Sequence, residues 1–133
     1  MKRLTIDSSV IIASLLTKEP RHREAFEIWQ TVLAGENLAI LPYSILVETT
    51  SAIRRRTGSE ELALHVKEEL LTLATVSFVI LDERSANEAA ELAAKTAVRG
   101  MDALVVQVAK EYGAELVSFD DDMIKKVRPV LTS

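Results

Sequence analysis

Short apolar runs alternate along this chain with longer segments in which apolar residues recur every three or four positions. The run 38–41 has the length and composition of a buried strand, and Pro42 follows it directly. The segment 21–33 instead places Phe26, Trp29 and Leu33 at helical spacing, which predicts one apolar helix face with Trp29 in the core. The pattern therefore predicts strands and helices in alternation.

This alternation predicts a protein of the α/β class, a three-layer α/β/α sandwich with a mostly parallel central sheet, because parallel crossovers place helices on both sheet faces. Thr57 with Glu60 and Ser85 with Glu88 have the spacing of capping boxes and predict two helix starts. The predicted strands are 3–6, 38–41, 76–81 and 115–118, and the predicted helices are 9–16, 21–33, 44–56, 57–73, 85–96, 102–112 and 123–126.

The composition is that of an ordinary globular domain. The 133 residues include 48% apolar and 27% charged residues, so we expect a single domain over residues 1–133. The absence of cysteine leaves only oxygen or histidine as metal ligands and is typical of a reducing compartment. No apolar run is long enough for a membrane span or a signal peptide, so a cytoplasmic location without membrane contact is expected.

The charge of the chain limits how it could bind nucleic acid. A formal net charge of -4 argues against a general positive field that would hold phosphates. Local contacts remain open, and Arg54, Arg55 and Arg56, at the end of a predicted helix, are candidates for contacting nucleic-acid phosphates. The alternative for these three arginines is a solvated helix end.

Four acids fall where the predicted architecture gives them a common direction. Asp7 and Asp120 each follow a predicted strand, and the carboxyl ends of parallel strands meet at one edge of a sheet. Asp102 lies at the head of the buried face of its helix, and Glu48 lies on the inward side of another. Helix capping is the alternative role for Asp102 and Asp120.

Carboxylates held close together raise one another's pKa unless a cation neutralises them. Because the chain offers oxygen ligands and no thiolate, Mg²⁺ or Mn²⁺ is favoured over Zn²⁺. Such ions are suited to phosphoryl transfer. We also expect Asp121 and Asp122 to cap the helix after Asp120.

The segments LTIDSSVIIA, PYSILVETTSAI and GMDALVVQVAKEYGAELVSFDDDM resemble PIN-domain ribonucleases of the VapC toxin type, and the resemblance covers essentially the whole chain. It implies a PIN-like fold and a metal-dependent endoribonuclease that hydrolyses RNA phosphodiester bonds. It also implies the toxin role of a type II toxin-antitoxin pair, a homodimer and a cognate antitoxin. The implied catalytic and metal-binding acids are Asp7, Glu48, Asp102 and Asp120. Asp122 could replace or supplement Asp120 as a metal ligand. The hydroxyls implied to orient the acids are those of Ser8, Ser9 and Ser118.

A second interpretation is a non-catalytic α/β binding or signalling module with an acidic metal-binding pocket. A receiver-like module would need paired acids after its first strand and a phosphoacceptor after a middle strand. This chain has the single acid Asp7 after its first strand, and Pro42 follows its middle strand where the phosphoacceptor would stand. The nuclease interpretation therefore agrees better with the order of the acids.

Overall fold

In residues 1–132, which the computed structural model describes, four strands form a central sheet. The strand order is β3-β2-β1-β4, and every neighbouring pair is parallel. All strands therefore end at the same edge, with β1 between β2 and β4. The strands are β1 Lys2–Ile6, β2 Asn37–Pro42, β3 Val76–Val79 and β4 Glu115–Val117.

Helices cover the sheet in two groups. Helix α1 packs on α2 and on α3, and α3 packs on α4, whereas α5, α6 and α7 pack together as a second group. Each group buries its own apolar cluster, which confirms the predicted three-layer α/β class. No helix among these is long and apolar enough to cross a bilayer. The helices are α1 Ser8–Leu15, α2 His22–Leu33, α3 Tyr43–Thr57, α4 Glu60–Thr72, α5 Glu83–Thr96, α6 Gly100–Glu111 and α7 Asp121–Leu131.

The buried face of α2 differs from the predicted one. Trp29 is buried as expected, but Phe26 and Leu33 are 45% and 39% exposed. The helix instead buries Ala25 and Val32 beside Trp29. Because Ala25 is four residues and Val32 three residues from Trp29, these two complete the stripe, and the prediction for Phe26 and Leu33 was wrong.

Two helices begin at residues other than the predicted caps. Ser59 caps α4, because its Oγ accepts the amide hydrogen of Leu62 at 3.0 Å, while Thr57 ends α3 and donates to its own helix. Asp82 caps α5 and forms a capping box with Ser85, three residues before the box predicted from the sequence. Both predicted boxes were therefore wrong, although the helices themselves are present.

Candidate metal centre at the carboxyl ends of the strands

Asp7 lies directly after β1, inside the sheet edge, and only 7% of it is exposed. Its backbone N–H donates to the carbonyl of Val117 at 2.8 Å, which ties the end of β1 to the end of β4. Asp7 is the N-terminal cap residue of α1, but its side chain makes no hydrogen bond to the first turn. Its Oδ2 instead accepts hydrogen bonds from Ser9 Oγ at 3.0 Å and Ser118 Oγ at 2.9 Å. Two hydroxyls thus fix the orientation of this carboxylate.

The same two hydroxyls hold the turn that follows β4. Ser118 Oγ accepts the amide hydrogen of Asp120 at 3.0 Å, and Ser9 Oγ accepts that of Phe119 at 3.3 Å. Ser118 therefore joins Asp7 and Asp120 through one side chain. Ser8 is buried in the first turn of α1 and makes no side-chain hydrogen bond to a described acid.

Glu48 and Asp102 bring two further carboxylates to this edge. Burial raises the pKa of the Glu48 carboxyl, and the negative charges of Asp7 and Asp102 raise it further. Burial is also the main cause that raises the pKa of Asp102, followed by the charges of Asp7 and Asp120, while the Arg99 charge opposes them. Four acids from separate parts of the chain therefore act on one another electrostatically.

The three consecutive aspartates after β4 have different environments. Asp120 is half-buried and caps α7, because its Oδ1 accepts the amide hydrogen of Met123 at 3.0 Å. The expectation that Asp121 and Asp122 cap this helix was wrong, since both lie in its first turn and are exposed. Asp122 instead pairs with Lys126 at 3.0 Å. Asp120 is thus the member of the three whose charge acts on Asp102.

The chemistry of these donors fits a hard divalent cation. All four acids offer oxygen, and a bound cation would offset the burial and the neighbouring negative charges that raise the pKa of Glu48 and of Asp102. Within residues 1–132, no group of three or more acids or histidines already has the spacing of a metal site. Because Mg²⁺ keeps several waters and often uses one or two carboxylates, a closed cage is not required.

The arginines of the chain lie at different distances from the four acids. Arg54, Arg55 and Arg56 occupy the last turn of α3, two turns beyond Glu48, and Arg56 pairs with Glu19. Sequence reasoning missed two further arginines at this site, Arg21 and Arg99. The one sequence signal was that Arg99 stands three residues before Asp102. Arg21 stacks 3.8 Å above the ring of Phe119 and pairs with Glu24, and Arg99 directly precedes α6.

An uncharged surface lies beside the acids. Five of the large apolar side chains that line one depression there are exposed, and the most exposed are Ile80 at 73% and Val47 at 65%. Val47 and Met101 directly precede Glu48 and Asp102 in the chain, so this surface adjoins the acids. We call it the apolar surface, and it consists of Tyr43, Val47, Ile80, Leu81 and Met101.

The sequence and the fold identify the class of protein. The sequence model of the PIN domain family matches residues 4–128, and the chain belongs to this family. Its fold is similar to the crystal structure of Mycobacterium tuberculosis VapC20, a toxin that cleaves the Sarcin-Ricin loop. The TM-score is 0.78 at 19% identity, over 93% of this chain and 94% of that one. The predicted PIN-like fold is therefore confirmed.

A second solved structure shares the fold. It is VapBC2 from Rickettsia felis bound to a DNA fragment from their promoter, with a TM-score of 0.66 and 14% identity over 96% of this chain and 93% of that one. At these identities the two structures establish a common fold. No curated protein matches the sequence.

Proposed function

We propose that this protein is a metal-dependent endoribonuclease that hydrolyses RNA phosphodiester bonds and acts as the toxin of a type II toxin-antitoxin pair. The observation that carries the proposal is the mutual electrostatic influence of Asp7, Glu48, Asp102 and Asp120 at one edge of a PIN-domain sheet. VapC20, which shares this fold, is a toxin that cleaves the Sarcin-Ricin loop. Residues 1–133 would act as one domain in the cytoplasm.

In this proposal the four acids together form the ligands of a metal site. Asp7, Glu48, Asp102 and Asp120 would hold one or two Mg²⁺ or Mn²⁺ ions. When bound, the cation supplies Lewis-acid activation of water and stabilises the charge that develops on the phosphate. Asp7 is already oriented by Ser9 and Ser118, so part of the ligand set is fixed before any ion binds. Asp122 is a weaker candidate than Asp120 for the fourth ligand position, because Lys126 pairs with it.

Protein partners are part of the proposal. The similarity to the VapBC2 structure supports a cognate antitoxin here. We also infer a homodimer in which a second copy covers the apolar surface. Monomers rarely expose large contiguous apolar areas, and interface cores are poor in charge and rich in Tyr and Met. Tyr43 and Met101 are both members of this surface, whose exposed side chains carry no charge.

Cleavage assays test the nuclease activity directly. The purified protein is incubated with structured RNA, including a Sarcin-Ricin loop oligonucleotide, and with unstructured RNA, in Mg²⁺, Mn²⁺ or EDTA. Asp7→Asn and Asp102→Asn proteins run alongside to exclude a contaminating nuclease. Cleavage that needs metal and vanishes in both variants supports the proposal. Absence of cleavage with every metal, together with Mn²⁺ binding, favours the non-catalytic binding module instead.

A further inference from the structure

Arg99 lies near the four acids at the carboxyl ends of the strands, which we call the acidic edge. It is exposed, and its position directly before α6 places it one helical turn from Asp102. Its backbone is held on both sides, since Val98 is buried and the carbonyl of Arg99 accepts the amide hydrogen of Ala103 at 3.0 Å. The guanidinium therefore extends from a fixed base next to one of the four acids.

An arginine at this position is unfavourable for the helix itself. Helices prefer Ser, Thr, Asp or Asn as the first cap, and a cation near a helix N-terminus opposes the helix dipole. The Arg99 side chain provides no cap to compensate. Local stability therefore does not explain this residue, which makes a functional role the better explanation.

The Arg99 guanidinium also lacks an acidic partner of the kind that three other arginines have. Among residues 1–132, Arg99 forms no ion pair within 4 Å and no side-chain hydrogen bond, although its charge is felt at Asp102. An unpaired guanidinium keeps its donors available for a planar anion such as phosphate, which it binds in a bidentate manner. Arginines that do have acidic partners are Arg21 with Glu24, Arg56 with Glu19, and Arg84 with Glu88 and Glu111.

The charge of the edge explains why such a cation would be needed. The chain carries a net charge of -4, and four carboxylates meet where an RNA phosphate would have to approach. The negative carboxylates repel the negative phosphates of RNA at short distance unless a positive charge lies nearby. We propose that Arg99 is a substrate-positioning residue whose guanidinium binds an RNA phosphate beside the one that is cleaved. This inference rests on the proposed function.

Two substitutions at Arg99 separate substrate binding from folding. Arg99→Gln removes the charge, and Arg99→Ser also introduces a favourable helix cap. We expect both to weaken binding of a fluorescein-labelled mixed-sequence single-stranded RNA by roughly 10-fold in EDTA, as loss of one charge-assisted pair predicts. The slope of log Kd against log salt concentration should fall by about 0.7, the value for one phosphate contact on a single strand. The Tm of Arg99→Ser should equal or exceed that of the wild type.

Arg128→Gln is the matched control, because Arg128 is exposed in α7 and has no ion pair among the described residues. It should bind the RNA like the wild type. Suppose that the wild type cleaves and binds RNA. The role of Arg99 is then refuted, and the nuclease function stands, if the Arg99 variants bind RNA as tightly as the wild type. The same conclusion follows if Arg128→Gln weakens RNA binding as much as the Arg99 variants do. If the wild type neither cleaves nor binds RNA with any metal, the proposed function fails and this inference fails with it.

Discussion

Ser118 Oγ lies 2.9 Å from Asp7 Oδ2, although 111 positions separate the two residues in the chain. The same hydroxyl accepts the amide hydrogen of Asp120. One small side chain thus controls both the orientation of the first carboxylate and the course of the backbone that delivers the fourth. A hydrogen bond to a ligand carboxylate is the kind of support that keeps a metal site in its working geometry.

Removing this hydroxyl should impair the nuclease more than the fold. We expect Ser118→Ala to lower Mg²⁺-dependent cleavage by about 10-fold to 100-fold, the usual effect of losing a group that orients a metal ligand. Ser118→Thr keeps the hydroxyl and should retain most activity. Cleavage rates measured across a Mg²⁺ titration test this, with Ser77→Ala on the exposed face of β3 as the control. Full activity of Ser118→Ala would contradict the role.

The three aspartates after β4 should differ in their importance. Asn is as good a helix cap as Asp, so Asp120→Asn preserves the start of α7 while it removes the charge. We expect this variant to have a near-native Tm and no metal-dependent cleavage. Asp121→Asn and Asp122→Asn should cleave RNA like the wild type, since both residues are exposed in the first turn. Equal activity in all three variants would refute the assignment of Asp120.

The acidic edge should weaken the metal-free fold at neutral pH. Because folding raises the pKa of Asp102 and of Glu48, their charged forms cost stability at pH values above the folded pKa. That cost disappears below the unfolded pKa, where both states are protonated. We therefore expect Asp102→Asn and Glu48→Gln to raise the Tm in EDTA by a few degrees at pH 7, and to lose this advantage as the pH falls through the carboxyl range.

Thermal unfolding in EDTA between pH 7 and about pH 3 measures this effect, since ordinary carboxyl pKa values are near 4. Glu27→Gln, a change at an exposed position of α2, serves as the control. Added Mg²⁺ should reverse the order, because it stabilises the wild type by binding and has fewer ligands in the variants. A lower Tm of both variants at pH 7 in EDTA would show that the carboxylates do not repel one another.

The apolar surface should determine the oligomeric state. Ile80 is its most exposed member, and an aspartate there would place an unpaired charge in the core of the proposed interface. We expect wild type to sediment as a dimer and Ile80→Asp as a monomer with an unchanged circular dichroism spectrum. Leu71→Asp, on an exposed part of α4 outside this surface, should remain dimeric. A monomeric wild type would refute the proposed dimer.

Much of this fold could be predicted because apolar periodicity and strand ends depend on local sequence. The runs that became β1 to β4 were recognisable, and parallel pairing then directed Asp7 and Asp120 to one edge. Helix starts were less predictable, because several hydroxyls and carboxylates near each start compete for the same amide. Thr57 and Ser59 show this, since both accept a hydrogen bond but only Ser59 stands directly before the first turn of α4.

The details of the candidate site were harder to predict, because they depend on contacts between distant segments. Nothing near Arg21 in the chain indicates that Phe119 packs against it. Likewise, Arg99 resembles any surface arginine until the position of Asp102 relative to Asp7 and Asp120 is known. Consecutive arginines in α3 are conspicuous in the sequence, yet two turns of helix separate them from Glu48.

The position of β1 between β2 and β4 also sets the order in which this site can form during synthesis. Asp7 directly follows the first strand, but two of the groups that hold it, the carbonyl of Val117 and the hydroxyl of Ser118, come from the far end of the chain. A nascent chain that ends before β4 has the first acid and neither the serine nor the fourth acid that complete its surroundings. The surroundings of Asp7 therefore cannot be complete until β4 and the turn that follows it have been synthesised.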